Sequence, residues 1–582
     1  MRHGTSRSAF LLCVVCAIGS ASNCSRADRA QDQAATETRD WDAFRDRFMS
    51  AEFTTFPDMA VYVGRHEFDG KLPDWSADGL ARTVASLHSM RNAAVAFGDA
   101  ALDQPRRFER DYVLSVIDRQ LFWIERADAP HTNPDFYVSG NPAGPALSPD
   151  VYVTRPYAPV AERLRAYIAW AKAVPTAVAQ ARANLHPPLQ RPLIDIGRLR
   201  FGGFASYLRN DVPAAFADAK DAALQTEFKS ANAAAAQAFA DFDAWLESQR
   251  KAQSEMFALG RDRFAEMLRA TERVDVPLDR LAQIGREDMA RNVAALRDAC
   301  ARFAPDATLL QCIARQSAHK PAGSVVAAGA EQVRTLEAFV HAHNIVTVPG
   351  TEQALVRESP PYQRGNFAYI DPPGAFEQRL PAVYYVSPPD PKWSKAEQDA
   401  YIPGTADLLF TTVHEVWPGH FLQFQHSNRV PSPVGRVFVG YAFAEGWAHY
   451  CEELMWESGL GDGDPEVHVG QLLNALLRDA RFLSAIGLHT GTLTVAQSET
   501  IFREQAFSDP GTARQQAARG TYDPAYLNYT LGKLMIRKLR DDWTATRGGR
   551  AAWKAFHDQF LSFGGPPVPL VRKAMGVDGP PL

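Results

Sequence analysis

The stretch "HEVWPGHFLQ", residues 414–423, begins like a helical metal-binding motif and then departs from it. The motif H-E-x-x-H sets two histidines four residues apart, where they share one face of a helix and can bind one ion. Here position 418 is proline, and His420 comes six residues after His414. At about 100° per residue, a straight helix would turn these two side chains roughly 240° apart. The helix must therefore be interrupted if both histidines are to bind one ion.

Pro418 and Gly419 stand where this interruption is needed. Proline removes a backbone donor and clashes with the preceding turn, and glycine accepts dihedral angles that other residues avoid. Bulges in helices are frequent at functional sites. We therefore predict that the two extra residues bulge out of the helix and return His420 to the face of His414.

A third metal-binding residue is available in "FAEGWAHYCEELMW", residues 443–456, where Glu445 opens a second amphipathic helix. Zinc in hydrolases usually takes three protein ligands and keeps one position for water. We predict that His414, His420 and Glu445 bind zinc. Glu415 would then face the bound water as a general base. The alternative is that the His-Glu pair is an ordinary structural feature of a helix.

The two motifs "HEVWPGHFLQ" and "EGWAHYCEEL" together resemble the bacterial family called domain of unknown function 885, which is zinc-peptidase-like and has the pattern H-E-x-x-P-G-H followed by E-G-W-A. "YVGRHEFDGKLPDWS", "GLHTGTLTVAQSETIF" and "DPAYLNYTLGKL" are also similar to it, so the similarity extends over most of the mature chain. The resemblance implies a mainly α, large helical fold that is zincin-like (gluzincin-type), with a small β-sheet near the active-site helix. It also implies zinc-dependent hydrolysis of peptides. By position, it assigns the same three ligands and the same base.

The sequence departs from the family pattern at two positions. Many relatives have a second histidine directly after P-G-H, where this chain has Phe421. In glutamate-type zincins an acidic residue four positions after the ligand glutamate often orients a ligand histidine, and here that position is His449. Glu452 and Glu453 are possible substitutes for that acidic residue.

A strand is predicted about 25 residues before the metal-binding helix. "AVYYVSP", residues 382–388, is rich in β-branched and aromatic side chains and is bounded by prolines. In zincin folds the edge strand above the active-site helix pairs with the substrate backbone, and we predict this stretch for that role. Tyr384 and Tyr385 face opposite sides of a strand, so one of them can line a substrate cleft. The alternative is simple packing.

Three residues in the last hundred are candidates for contacts with substrate. Hydrolysis of an amide develops negative charge on an oxygen, which needs a hydrogen-bond donor. We predict His489 and Tyr529 for that role and Arg519 as a residue that binds a substrate carboxylate; the alternative for each is a structural role. Gly532 would let its helix pack closely at the site, because it has no side chain.

Helical periodicity dominates the remaining sequence, as in "LARTVASLHSMRNAAVAF", where apolar residues recur at i, i+3, i+4 and i+7. No stretch has the composition of a domain linker. We predict a signal peptide at 1–24, a flexible segment at 25–39, a helical half at 40–350 and a catalytic half with the metal site at 351–582. The two halves are expected to pack as one body.

The first 25 residues have the order of a secretory signal: basic "MRHGTSR", apolar "AFLLCVVCAIG" and small, polar "SASNCS". The apolar run is too short for an ordinary transmembrane helix. An exported protein of the periplasm or envelope is therefore predicted. Simple cleavage near Ala21 or Ser22 and a lipid anchor at Cys24 are the two alternatives, and the anchor would be the protein's contact with a membrane.

The other cysteines and the overall charge agree with export. Cys300 and Cys312 enclose a proline-containing loop, and in an oxidising compartment this spacing favours a local disulfide over two free thiols. Cys451, among bulky neighbours, is predicted to be a buried free thiol. The net charge of −5 and the absence of a long basic run give no indication of nucleic-acid binding.

The sequence thus favours an exported zinc metallopeptidase that acts on peptides. One alternative keeps the metal site but changes the substrate to a non-peptide amide or ester. The other is a non-catalytic helical envelope protein that binds a ligand or partner.

Overall fold

Helices make up most of the chain. The computed structural model describes residues 40–139, 147–252, 256–360, 363–364, 367–377 and 380–582. The expected signal peptide, Cys24 and the segment 25–39 lie outside the described residues. No helix within the described ranges is both long and apolar enough to cross a membrane.

The N-terminal helices follow the amphipathic periodicity of the sequence. In the longest ones a stripe of apolar residues is buried, for example Leu164, Tyr167, Ile168 and Ala171 at i, i+3, i+4 and i+7. These helices are α1 (40–55), α2 (Pro57–Tyr62), α3 (Ala77–Ala96), α4 (Gln104–Leu121), α5 (Ala129–Thr132), α6 (Phe136–Ser139), α7 (Asp150–Thr154), α8 (Val160–Asn184), α9 (Arg191–Asn210), α10 (Val212–Ala215) and α11 (Ala222–Gln249).

The C-terminal helices surround the predicted metal site. They are α12 (Arg261–Glu272), α13 (Leu278–Phe303), α14 (Leu309–Ala318), α15 (Val325–Ala342), α16 (Lys395–Tyr401), α17 (Thr405–Glu415), α18 (His420–Ser427), α19 (Pro433–Val437), α20 (Tyr441–Glu457), α21 (Pro465–His489), α22 (Val495–Glu504), α23 (Pro510–Tyr522), α24 (Asn528–Thr544), α25 (Trp553–Leu561) and α26 (Val568–Ala574). Helices α20 and α21 are buried along most of their length, which places them at the centre of this half.

The described chain forms two hydrophobic cores. One is built almost entirely from residues 41–246 and the other almost entirely from residues 264–575, and each takes one or two side chains from the other half. The division therefore falls between these ranges, and the predicted boundary at residue 350 is wrong.

The position of α13 explains the error in the boundary. This helix packs lengthwise against α21, and Gly285 allows the close approach, because a Cβ there would lie 2.4 Å from the ring of Phe482. Amphipathic periodicity shows that a helix has a buried face, but it does not identify the helix that covers that face. Helices α12 to α15 therefore belong to the C-terminal core.

The two halves pack directly against each other. Arg155 of the N-terminal half is buried, and its guanidinium binds Asp371 at 2.7 Å and Glu377 at 3.2 Å. The rings of Phe108 and Phe563 lie 5.1 Å apart between centroids. Both a buried ion pair and apolar contacts therefore join the halves.

A three-stranded sheet lies beside α17. Its strands are β1 (Ala354–Glu358), β2 (Ala368–Asp371) and β3 (Ala382–Val386), in the order β1-β3-β2. The central strand β3 pairs in parallel with β1 and antiparallel with β2. All five residues of β3 are buried, as expected of a short apolar strand inside a sheet. Strand β2 is consequently an edge strand.

The cysteines lie as predicted. Cys300 at the end of α13 and Cys312 in α14 form a disulfide with their Cα atoms 5.7 Å apart. Cys451 is a buried free thiol on α20. The bridge joins two consecutive helices of the C-terminal core and is of the kind found in proteins of oxidising compartments.

Candidate metal centre

The chain between His414 and His420 leaves the helix instead of bulging from it. Helix α17 ends at Glu415, the next residue is non-helical with φ −122° and ψ −76°, and α18 begins at His420. The two imidazole centroids are 4.8 Å apart. The predicted meeting of the histidines is therefore found, but the predicted bulge is wrong: two separate helices carry them.

Gly419 is required at this break. A Cβ at this position would lie 1.9 Å from the carbonyl oxygen of His414, so no larger residue fits without moving the chain. The amide of Gly419 donates to the carbonyl of Val413 at 3.1 Å, and the indole of Trp447 donates to the carbonyl of Pro418 at 2.9 Å. Polar main-chain groups exposed by the break are thus satisfied, and the turn is held to α20.

Glu445 of α20 faces both histidines. Its Oε2 lies 3.2 Å from Nε2 of His414 and 3.3 Å from Nε2 of His420, and one ligand atom from each of the three residues lies within 4.8 Å of the others. Burial disfavours the ionised form of Glu445, but the two imidazoles outweigh it and hold the pKa of this carboxyl well below its usual value. The centre therefore consists of a partly buried carboxylate that faces the ring nitrogens of two buried histidines.

Glu452 orients the first histidine. Its Oε1 lies 2.7 Å from Nδ1 of His414, and it also contacts Nδ1 of His449 at 3.3 Å and the guanidinium of Arg478 at 3.3 Å. Because Nδ1 of His414 donates to this carboxylate, its Nε2 is left to act as a metal ligand. Of the two acidic residues left open by the sequence, Glu452 holds this position.

A contact between two glycines brings α24 close to the centre. A Cβ on Gly446 would lie 2.4 Å from Cα of Gly532, and a Cβ on Gly532 would lie 2.0 Å from the carbonyl oxygen of Ala442. The close packing predicted for Gly532 is confirmed. It places the ring of Tyr529 parallel to that of His414, with 6.0 Å between centroids.

Glu415 lies at the free edge of the sheet. Its Oε2 accepts a hydrogen bond of 3.1 Å from the amide of Ile370 in β2. Burial is the main cause that raises the pKa of Glu415. A main-chain amide of β2 thus points away from β3 and towards the metal centre, so the edge strand at the site is β2 and the assignment of 382–388 to that role is wrong.

The two tyrosines of β3 have different surroundings. Tyr384 is fully buried against α17, where its hydroxyl lies 3.3 Å from Oγ1 of Thr412, so it does not line a cleft. Tyr385 stacks on Tyr369 at 5.0 Å and lines a cavity of about 220 Å³ between the sheet and the N-terminal half. Tyr385 thus lines a cavity, and its contact with a substrate stays a prediction, while Tyr384 is a core residue.

His489 has a structural role, and its predicted role as an oxyanion donor is wrong. Its Nε2 donates to the carbonyl of Gly520 at 2.8 Å, and its Nδ1 accepts from the amide of Leu259 at 3.3 Å. Burial lowers the pKa of His489 to about 4, so the ring stays neutral. Both nitrogens are occupied by the main chain, and neither is available to an oxyanion.

Tyr529 and Arg519 lie together beside the centre. Arg519 donates to Asp523 at 3.0 Å and to the hydroxyl of Tyr441 at 2.9 Å. Burial, and then the nearby carboxylate of Glu445, raise the pKa of Tyr529, so its hydroxyl remains a proton donor near neutral pH. The charge of Arg519 is thus already balanced by an internal carboxylate.

Sequence reasoning missed Tyr441 and Arg481. Tyr441 stands four residues before Glu445, and this spacing puts both on one face of α20, which is a signal that the sequence contains. Arg481 of α21 lies over the ring of Tyr529, with its Cζ 4.7 Å from the centroid. Nothing in the sequence near Arg481 indicates this contact, because α21 and α24 are distant in the chain.

Fold and site together define a mainly helical protein with a small sheet and a candidate metal centre of two histidines and one glutamate. The chain belongs to the family described as "Bacterial protein of unknown function (DUF885)", whose model matches residues 57–575. No curated protein matched the sequence significantly.

Two solved structures share the fold. One is described as a "putative lipoprotein of unknown function" from Shewanella oneidensis, with 24% identity and a TM-score of 0.76, covering 92% of this chain and 99% of that chain. The other is described as a "putative lipoprotein" from Colwellia psychrerythraea, with 17% identity and a TM-score of 0.76, covering 92% and 98%. At these identities the likeness concerns the fold alone.

Proposed function

We propose that the protein is an exported, zinc-dependent hydrolase that cleaves peptide bonds and has a zincin-like catalytic half. The observation that carries the proposal is the convergence of ligand atoms from His414, His420 and Glu445 within 4.8 Å, with Glu415 directly beside them. A carboxylate that can act as a general base next to three protein ligands is the arrangement that hydrolytic zinc sites use.

The donor set fits zinc. Two imidazole nitrogens and one carboxylate oxygen are the ligand types that zinc takes in hydrolases, whereas magnesium and calcium prefer oxygen alone. The hydrogen bond from His414 to Glu452 supports this assignment, because a carboxylate behind a histidine is the usual partner of a metal-binding imidazole. A zinc ion bound there would polarise a carbonyl group and lower the pKa of a bound water.

The protein's own groups supply the remaining chemistry. Glu415 takes a proton from the attacking water and passes it to the nitrogen that leaves. The amide of Ile370 already donates to Glu415, and the other main-chain groups at the free edge of β2 pair with an extended peptide and align its scissile bond. Tyr529, whose ring stacks on that of His414, donates its hydroxyl proton in a hydrogen bond to the oxyanion.

Several observations support an exported location. The first 24 residues have the order of a secretory signal, the Cys300–Cys312 bridge suits an oxidising compartment, and both similar structures are described as lipoproteins. These observations support our proposal that the protein belongs to the periplasm or envelope, with Cys24 as the candidate lipid-bearing residue. Intact mass of native protein tests this: a chain beginning at Met1 would contradict export.

Metal analysis followed by a peptide-library digest tests the function. Zinc-loaded, dialysed protein is expected to contain about one zinc per chain, and His420→Ala is expected to lose most of it. Mass spectrometry of the digest should then show cleaved peptides only with the zinc-bound protein. Bound zinc without peptide cleavage would favour a non-peptide amide or ester substrate. Absence of zinc from the loaded wild-type protein would favour the non-catalytic binding protein.

A further inference from the structure

Beside the metal centre lies a buried arginine for which the described part of the chain provides no acidic partner. Arg481 is 8% exposed, its Nε donates to the neutral side chain of Gln516 at 2.8 Å, and its Cζ lies over the ring of Tyr529. Among the described residues, no carboxylate forms an ion pair with it. A buried cation without an anion costs folding free energy, and every other buried arginine in the described part of the chain has a carboxylate partner.

The neighbouring arginines show the contrast. Arg519 binds Asp523 at 3.0 Å, and Arg478 binds Glu452 at 3.3 Å, so each has its own carboxylate. Burial, and then the positive charge of Arg519, lower the pKa of Arg481 from its usual value. Of these three guanidinium groups, Arg481 is therefore the one that has no carboxylate ion pair among the described residues.

The distance from Arg481 to the metal centre limits how far a carboxylate that pairs with this arginine lies from the ligand histidines. The ring of Tyr529 lies 6.0 Å from the ring of His414 and 4.7 Å from Cζ of Arg481, so the guanidinium is at most about 11 Å from the first ligand histidine. An extended peptide advances about 3.3–3.6 Å per residue, so this span corresponds to roughly one to three residues.

We infer that Arg481 binds the free C-terminal carboxylate of a peptide substrate, and that the protein is therefore an exopeptidase that releases short C-terminal fragments. The inference rests on the proposed hydrolytic function. Guanidinium binds carboxylate through two parallel hydrogen bonds, which fixes the end of the peptide and its direction along β2. Hydrolysis adds water across the scissile C–N bond, so that the carbonyl carbon becomes a new carboxylate and the fragment leaves with a new amino group.

Binding to the Glu415→Gln variant tests the inference without hydrolysis. Two peptides of one sequence, one with a free C-terminal carboxylate and one with a C-terminal amide, are titrated by calorimetry into the zinc-loaded variant. The carboxylate peptide is expected to bind about 10- to 100-fold more tightly, which is the usual effect of a hydrogen-bonded charge. Equal affinity, including no measurable binding of either peptide, would overturn the inference.

Arg481→Met, added to the same variant, identifies the residue responsible. It is expected to remove the preference for the carboxylate, whereas Arg514→Gln, at an exposed arginine of α23, is expected to keep it. Thermal unfolding separates binding from a structural role: because the substitution removes an unpaired buried charge, Tm should stay the same or rise. A lower Tm together with an unchanged preference would show that Arg481 is structural.

The digest with active protein distinguishes the two proposals. If peptides are cut and the products are C-terminal fragments of roughly one to three residues, both stand. If peptides are cut internally whether or not the C terminus is blocked, the proposed hydrolase activity is supported and the exopeptidase inference is wrong. If nothing is cut but binding still depends on Arg481 and on the free carboxylate, Arg481 binds the carboxylate as inferred and the proposed peptide hydrolysis is wrong.

Discussion

Glu452 and Glu453 are consecutive residues of α20, yet they belong to two different buried groups of charges. Glu452 holds His414 in the metal centre. Glu453 binds Arg291 at 3.1 Å and Arg537 at 3.0 Å. Together with Asp288 and Lys533, which bind each other at 2.7 Å, these three residues form what we call the Lys533 cluster.

The two groups differ in how their charges are balanced. In the Lys533 cluster every carboxylate has a permanent cation beside it, so the group is complete within the chain. In the metal centre, the ionisable partners that Glu445 contacts within the described ranges are two imidazoles, and neither is a permanent cation. The comparison teaches that a charged group inside the protein indicates a ligand-binding site when the protein's own residues do not supply the opposite charge.

Substitutions of the two glutamates in the centre should have the largest effect. Glu415→Gln is expected to lower the rate of peptide hydrolysis by ~10²–10⁴-fold while zinc stays bound, because only the general base is lost. Glu445→Gln is expected to lose zinc itself, because a neutral amide is a poor replacement for an anionic ligand. Metal content and hydrolysis rate are measured on both variants. Zinc lost from Glu415→Gln but kept by Glu445→Gln would show that the two roles are reversed.

Removing the buried cation of the Lys533 cluster should affect stability and leave the metal alone. Lys533→Met leaves Asp288 and Glu453 with fewer positive partners, and the expected loss in free energy of unfolding is about 3–5 kcal/mol. Lys538→Met, at a half-exposed lysine paired with Asp542, is the control and should cost at most about 1 kcal/mol. Denaturant titration measures both. A zinc affinity reduced in the folded Lys533→Met protein would mean that the two groups are coupled.

The consecutive glutamates allow the sharpest comparison. Glu452→Gln removes the anion behind His414, so zinc affinity is expected to fall about 10- to 100-fold. Glu453→Gln is expected to lower the free energy of unfolding without a change in zinc affinity. Competition with a chelator gives the affinities. Equal zinc affinities for the two variants would remove the distinction between the groups.

The pH dependence of stability should show the smallest effect. Burial favours the neutral form of Glu453, but Lys533, Arg291 and Arg537 outweigh it and lower the pKa of Glu453 to about 2. A lowered pKa stabilises the fold above the unfolded value of about 4.5, and this stability is lost as the pH falls towards 2. The difference in free energy of unfolding between wild type and Glu453→Gln should therefore shrink by roughly 2 kcal/mol between pH 5 and pH 3. A constant difference would show that the carboxylate is not held ionised.

The sequence predicted the centre better than its surroundings. His414, His420 and Glu445 were identified because their residue types and spacing are typical of a metal site, and the structure brings them together. The sequence predicted the position of the helix break at Gly419 correctly. It predicted a bulge instead of a helix end, because the same residues, proline and glycine, favour both. The role of His489 depended on Gly520 and Leu259, which are distant in sequence.

Two further features were out of reach of sequence patterns. The true boundary between the cores depends on which helix covers α13. The lack of an ion pair at Arg481 depends on which of the described side chains surround it in three dimensions. Sequence patterns show which face of a helix is buried and how far apart residues stand in the chain. The boundary between the cores and the surroundings of Arg481 depend instead on contacts between segments that are distant in the chain.

The helix break also affects how the protein unfolds locally. In an H-E-x-x-H site one continuous helix carries both histidines, but here α17, α18 and α20 each carry one of the three residues. An ion bound by all three would act as a cross-link between these three helices. Hydrogen exchange of the amides in α17 and α18 should therefore slow together when zinc is added, as in a single cooperative unit.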